Sequence, residues 1–164
     1  MRNLLAKLFG RKYFIHKTVT IWNKKNLILK NNAQIYEYVI IRARENDVIV
    51  GQNTQIGPFC VILVGDGVEI GDNVLIGPHC VFAAGQHNYK QLEQPMIEAG
   101  GISKGKIRVG NDVWIGANTT IIDGVTVGDG AVIGANSFVN KDVESFGIYA
   151  GAPAKKIANR HDNT

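Results

Sequence analysis

The chain has 164 residues, 45% hydrophobic but only 8% aromatic, with 19 glycines and a formal net charge of +4. That length suits one domain with a sizeable core, the Gly-rich, aromatic-poor balance fits an all-β protein better than a helical one, and no apolar run reaches the ~18 residues of a membrane span. Two cysteines without a CxxC spacing exclude a disulfide framework, so Cys60 and Cys80 read as small buried thiols.

The charge is uneven along the chain. Residues 1–36 hold eight Lys/Arg and no acid, whereas the remainder holds 10 basic and 14 acidic side chains. The opening "MRNLLAKLFGRKYFIHK" puts Leu4, Leu5, Leu8 and Phe9 on one helical face, ringed by Arg2, Lys7, Arg11 and Lys12. The apolar stretch is too short and interrupted for a signal peptide. Such a segment suits a helix capping the end of the main body, or peripheral contact of residues 1–17 with an anionic membrane. Residues 1–25 are therefore set apart as an N-terminal basic segment, 26–157 as the main domain and 158–164 as a tail. A cytoplasmic location is expected, and no nucleic-acid partner.

A six-residue beat then begins. Leu29, Ile35 and Ile41 keep it, the step to Val50 is nine residues, and "IGPFCV" at 56, "VGDGVE" at 64, "IGDNVL" at 70 and "IGPHCV" at 76 follow, with a slip of two between Ile62 and Val64. From 109 the blocks are VGNDVW, IGANTT, IIDGVT, VGDGAV, IGANSF and VNKDVE. Position one is always a β-branched aliphatic and position five is small or β-branched. Six residues is neither the helical period nor a plain strand's. It is one short strand plus one corner, and three such units close a triangular coil of about 18 residues. Position one points inward and stacks on its copy in the next coil, while Gly and Asn/Asp accept the corner angles. The irregular early steps read as corners with small insertions.

The beat stops once. From Phe82 to Val109 is 27 residues, so about 88–106 leaves the coil as a long excursion loop. Loops of this length in compact domains are usually functional or disordered, and Tyr89, Leu92, Pro95, Met96 and Ile97 give this one enough apolar surface to act as a lid or an inter-subunit arm. Of the four histidines, His16 and His161 lie in terminal segments and read as solvated, and His79 reads as an exposed corner residue. His87 stands at the entrance to the excursion.

This pattern resembles the hexapeptide-repeat acyltransferases, over roughly residues 26–157. A histidine at the start of such a loop, followed by "VGNDVWIGANTTIIDGVTVGDGAVIGANSFVNKDV" and "YAGAPAKKI", is similar to the sugar O-acetyltransferases: the maltose, galactoside and streptogramin enzymes and those of capsule and lipopolysaccharide biosynthesis. The resemblance implies a left-handed parallel β-helix, although crossover connections are otherwise right-handed. It implies an acetyl-CoA-dependent O-acetyltransferase acting on a sugar hydroxyl in surface polysaccharide synthesis, with His87 as general base and no metal. It also implies a homotrimer with active sites between subunits. Acetyl-CoA contacts map onto Ala117, Ala135, Asn140, Lys141, Lys155 and Lys156, with Arg160 a further phosphate candidate. Acceptor contacts are assigned to Asn88, Tyr89, Asp66 and Trp114. The acceptor is a saccharide, a lipid-linked saccharide or a nucleotide sugar; the family's usual acceptor-binding Asn and Asp are not matched by "GPFCVILVGDGVEIG", where Asp66 is the nearest acid, and this argues against a simple galactoside or maltose.

Three alternatives remain beside it. An N-acetyltransferase acting on an amino-sugar nucleotide shares the fold and the donor. A non-catalytic β-helix scaffold lacks the chemistry. A γ-class carbonic anhydrase needs three zinc-binding histidines across an interface, and the repeat body has only His79 and His87.

Overall fold

The computed structural model describes residues 13–43 and 46–162, so the apolar face of residues 4–9 lies outside the described residues. Short strands wind into a triangular prism of three parallel sheets. One coil shows the plan: Leu75–Ile76 lies in the first sheet, Val81–Ala83 in the second and Ile107–Val109 in the third. Tyr13–Ile15 and Thr20–Trp22 already pair with Ala33–Ile35 and Ile40–Arg42. The ladders therefore start ahead of the residue-26 boundary expected from sequence. At the far end Lys155–Asn159 folds back antiparallel on Gly147–Ala150, crossing the expected 157/158 boundary. His16 is not solvated: its side chain is 13% exposed and Nδ1 is 2.9 Å from the Thr18 hydroxyl.

The position-one aliphatics make the core. Ile35, Ile56, Ile76, Ile115 and Ile133 stack in register in the first sheet. Ile41, Ile62, Phe82, Ile121 and Val139 do so in the second. All ten are at most 4% exposed. Position five forms a second inward column, in which Cys60 and Cys80 direct Sγ at Gly77 O and Gly116 O, each 3.2 Å away, and Ser137 Oγ bonds Gly134 O at 2.7 Å. In the first sheet position two is glycine where neighbouring coils nearly touch: a Cβ on Gly77 would stand 2.7 Å from the Ala117 nitrogen.

The three edges of the prism are not alike. On the first edge, between first and second sheets, Tyr38, Phe59, His79, Asn118 and Asn136 all adopt left-handed backbone angles. Bulky residues resist that conformation, and here they are held by stacking, Tyr38 on Phe59 and Phe59 on His79, each at 5.0 Å. Asn118 continues the ladder to Asn136. On the third edge, between third and first sheets, Asn32, Asn53 and Asn73 form a matching amide ladder. Both edges keep constant length from coil to coil. The second edge, between second and third sheets, does not: the inward steps across it are Ile41 to Val50, Ile62 to Ile70, Phe82 to Val109 and Ile121 to Val127. Among the described residues every insertion falls on this edge, so the coils below the excursion are 20 or 21 residues long; the coil above it is 18, and the last is 16, its second edge shortened to a four-residue step from Val139 to Val143.

Candidate active site

The excursion leaves the second edge earlier than about residue 88. The last coil strand ends at Ala83, and Gln86–His87 pairs antiparallel with Gly101–Ile102, setting Gln86 opposite Ile102 and His87 opposite Gly101. His87 therefore does not end a strand of the prism wall; it rides on a two-stranded ribbon standing off it. Asn88 N–H extends the ribbon to Gly100 O at 3.0 Å. The imidazole is exposed, and among the described residues neither ring nitrogen has a hydrogen-bond partner.

Ribbon and prism enclose a cleft of about 980 Å³ lined by His87, Asp66, Arg42, Gln86, Ile97 and Ser103 among others. The widened coils make its floor: Asp66 lies in the corner that follows Leu63, and Arg42 ends the strand beneath, with its guanidinium 5.0 Å over the Trp22 ring. Of the acceptor candidates, Asp66 shares this cleft with His87. Asn88 and Tyr89 lie beyond its lining, further along the excursion, and Trp114 is on the outer face of the first sheet, in register with Leu75 and Val132. The excursion's apolar side chains are uncovered, Leu92 at 89% and Ile97 at 85% exposure.

The donor candidates divide between edges. Ala117 and Ala135 stack on the first edge, where Asn136 N–H bonds Ala117 O at 2.9 Å, and Lys155 lies at the same end of the sheet, opposite Ala150. Asn140 and Lys141 continue the second sheet past Val139 and so stand on the second edge, above the excursion. The basic tail is not uniform. Lys156 Nζ is 2.7 Å from Glu144, and that hydrogen bond raises the lysine's pKa and lowers the glutamate's. Arg160 is built into the fold, its Nη1 reaching Gly130 O at 2.8 Å and Asp112 Oδ2 at 3.0 Å. Lys155 and Lys141 are exposed and have no ion pair among the described residues. The two histidines of the repeat body, His79 and His87, stand on different edges.

One residue escapes the sequence reading. Asp123 is 1% exposed, yet it is a carboxylate. Its Oδ1 accepts from Gln86 Nε2 and its Oδ2 from Lys104 N–H, both at 2.6 Å. The signal for it is the register, since Asp123 falls where the preceding coil has Ala84.

The hexapeptide family described as "Bacterial transferase hexapeptide (six repeats)" matches residues 45–84 and 106–141. A probable macrolide acetyltransferase of Lysinibacillus sphaericus is 60% identical over 57 residues, 35% of this chain and 32% of that protein. A galactoside O-acetyltransferase of Escherichia coli K12 is 46% identical over 56 residues, 34% of this chain and 28% of that protein. The chain thus spans about a third of the length of these curated relatives. The structure of a variant of AntD, an N-acyltransferase from Bacillus cereus, with dTDP and coenzyme A, superposes with a TM-score of 0.81 at 25% identity, over 99% of this chain and 90% of that one. The hexapeptide-repeat acetyltransferase VCA0836 of Vibrio cholerae O1 biovar eltor, with acetyl coenzyme A, gives 0.65 at 30% identity, over 98% and 76%. The chain belongs to the bacterial hexapeptide-repeat transferase family, and its solenoid is that family's left-handed parallel β-helix.

Proposed function

We propose that this chain is an acetyl-CoA-dependent O-acetyltransferase acting on a sugar hydroxyl in surface polysaccharide synthesis, with His87 as general base. The observation that carries the reading is the position of His87, exposed on a ribbon at the rim of a cleft of about 980 Å³. A sugar hydroxyl is a weak nucleophile and acetyl-CoA an activated thioester. Neutral imidazole takes the hydroxyl proton as the oxygen attacks the carbonyl carbon. The tetrahedral oxyanion is stabilised by a backbone N–H donor. The C–S bond then breaks, and the proton passes from the imidazolium to the departing CoA sulfur.

The site is completed between protomers of a homotrimer. Two observations support this: Ala117, Ala135 and Lys155 stand a full sheet width from the edge that carries His87, and the apolar excursion is uncovered in a single chain. On this reading Lys155 and Lys141, not the fold-bound Arg160, meet the CoA phosphates. The acceptor is a saccharide, free or lipid-linked, and the enzyme works in the cytoplasm, with residues 1–17 touching the inner membrane face; loss of liposome binding on deletion of residues 1–12 tests that contact. A second reading, acyl transfer to the amine of a nucleotide-linked amino sugar, is favoured by the fold match to AntD, whose structure holds dTDP.

Titration calorimetry with acetyl-CoA, up to millimolar ligand, is the first test, and saturation at about one site per chain is expected. Loss of His87 in His87→Ala is expected to leave that binding intact and to lower turnover on a hydroxyl acceptor by roughly 10²–10⁴-fold, the range for a positioned general base. Unchanged turnover overturns the assignment, and activity on an amine that survives the substitution selects the N-acyl reading.

A further inference from the structure

We propose that Asp123 is the positioning residue of this site: it pins the ribbon that carries His87 to the prism. The inference rests on the reading of His87 as base for its catalytic consequence, and on geometry alone for the pin.

Successive coils place Ala43, Val64, Ala84 and then Asp123 in one inward column at the second edge, as the registers Arg42–Leu63–Ala83–Ile122 require. The first three are small apolar residues, 0%, 5% and 3% exposed, and Asp123 is 1% exposed. A buried carboxylate is costly without partners, and the repeat pattern asks for an aliphatic here. Both of its oxygens are engaged, and both donors come from the excursion. Gln86, immediately before His87, supplies its side-chain amide from the outgoing leg, and Lys104 supplies its backbone N–H from the returning leg, each at 2.6 Å. The surrounding backbone closes the same joint: Asp123 N–H bonds Ala83 O at 3.1 Å and Gly124 N–H bonds Gly105 O at 2.9 Å. Gly124 has φ +77°, and a Cβ there would stand 2.9 Å from Lys104 O.

The ribbon needs such an anchor. It consists of two residue pairs, and a two-stranded hairpin of that size does not hold itself in water. From Tyr89 to Glu98 every residue is exposed. The carboxylate of Asp123 therefore ties both legs to the coils, and on the outgoing leg it does so through Gln86, the neighbour of His87.

The test exploits the polarity of the joint and keeps the full chain. Gln86→Glu sets a second carboxylate against Asp123, and two anions at that distance do not both remain ionised and bonded. Asp123→Asn keeps an acceptor for Lys104 N–H and turns a donor toward position 86, where the glutamine amide flips to accept. Combining the two substitutions pairs that donor with the new carboxylate and rebuilds the joint. Amide hydrogen exchange is read at Asn88 and Lys104, with Trp114 and Thr120, bonded within the prism, as internal controls. Exchange at the first two is expected to rise about tenfold or more in Gln86→Glu and to return in the double variant, with the controls unmoved. In parallel kcat is expected to fall about 10²-fold, as for a misplaced catalytic group, with KM for acetyl-CoA nearly unchanged, and to recover in the double variant.

Unaltered exchange in Gln86→Glu, or no recovery in the double variant, overturns the pin. Loosened exchange with undiminished kcat, in an enzyme that His87→Ala inactivates, overturns the positioning role. If His87→Ala leaves turnover intact, it is the function of His87 that fails, and the exchange pattern still decides whether Asp123 holds the ribbon.

Discussion

The basic tail offers a crossed prediction, because its cations do different work. Arg160 spends its guanidinium on the fold, with bonds to Gly130 O at 2.8 Å and Asp112 Oδ2 at 3.0 Å. A hydrogen bond involving a charged group contributes about 1.5–3 kcal/mol when well protected. The arginine side chain is 39% exposed and the aspartate 67%, so solvent screening reduces this to about 1–2 kcal/mol. In a chain of this size each kcal/mol moves Tm by about 2–4 °C. Arg160→Ala is thus expected to lower Tm by roughly 2–8 °C and to leave KM for acetyl-CoA alone. Lys155 has no ion pair among the described residues and, on the proposed reading, meets a CoA phosphate. An exposed unit-charge pair 4 Å apart is worth about 1 kcal/mol in a water-like medium, or roughly fivefold in an equilibrium constant. Lys155→Ala is expected to raise KM for acetyl-CoA by about that factor at low salt, with Tm unchanged. The difference from wild type should close near 1 M salt, where the screening length is about 3 Å. Thermal melting and a thiol-release assay on both variants decide the matter. If Arg160→Ala raises KM as much as Lys155→Ala, or if Lys155→Ala melts early, the division of labour is refuted.

Three further tests address the body of the prism. Phe82, wholly buried between Ile62 and Ile121, is expected to cost about 3–5 kcal/mol as Phe82→Ala but under about 1.5 kcal/mol as Phe82→Ile; equal losses in denaturant melts would refute the column. Cys60 and Cys80 are 0% and 1% exposed, so neither should react with a disulfide reagent until the chain is unfolded, whatever their thiol acidity, and rapid labelling of the folded protein would contradict this. The hydrogen bond from Lys156 holds the Glu144 carboxyl below its ordinary value of 4.5, so its stabilisation is present above that pH and is lost as the pH falls through the depressed value; it is lost again as Lys156 deprotonates above 10.5. A Tm gap between wild type and Glu144→Gln that persists at the acidic end would be inconsistent with that pair.

The repeats were readable where geometry leaves no freedom. From 109 to 139 the registers advance by 18 residues, so Ile115 predicts Ile133 and Ile121 predicts Val139 without alignment to anything else; the last coil shortens to 16, placing Val143 rather than residue 145 opposite Val127. The first strands, Tyr13–Ile15 and Thr20–Trp22, were missed because Ile15 and Ile21 give a single six-residue step before an eight-residue step to Leu29 breaks the beat. The position of His87 at the start of the excursion was legible from the break in the beat, but its setting was not: Gln86–His87 pairs with Gly101–Ile102, a contact across the excursion that no local pattern announces. The fate of Arg160 depended likewise on Asp112, distant in sequence.

Read by edges rather than by residues, the irregular steps locate the site. Constant length on the first and third edges is what continuous ladders demand, since Asn53 must reach both Asn32 and Asn73. Among the described residues the second edge carries no such ladder below Asp123, so insertions there break nothing. Arg42, Asp66 and His87 reach a common cleft because the steps from Ile41 to Val50, Ile62 to Ile70 and Phe82 to Val109 all exceed six at that one edge. Above the excursion the step from Ile121 to Val127 is back to six, and the first residue of that tight corner is Asp123. A widened edge supplies space but no rigidity, and a tight corner supplies rigidity but no space. The buried carboxylate stands at the junction of the two, where it joins the ribbon that carries His87 to the tight corner of the prism, and an aliphatic residue there would satisfy the repeat while leaving both legs of the ribbon untied.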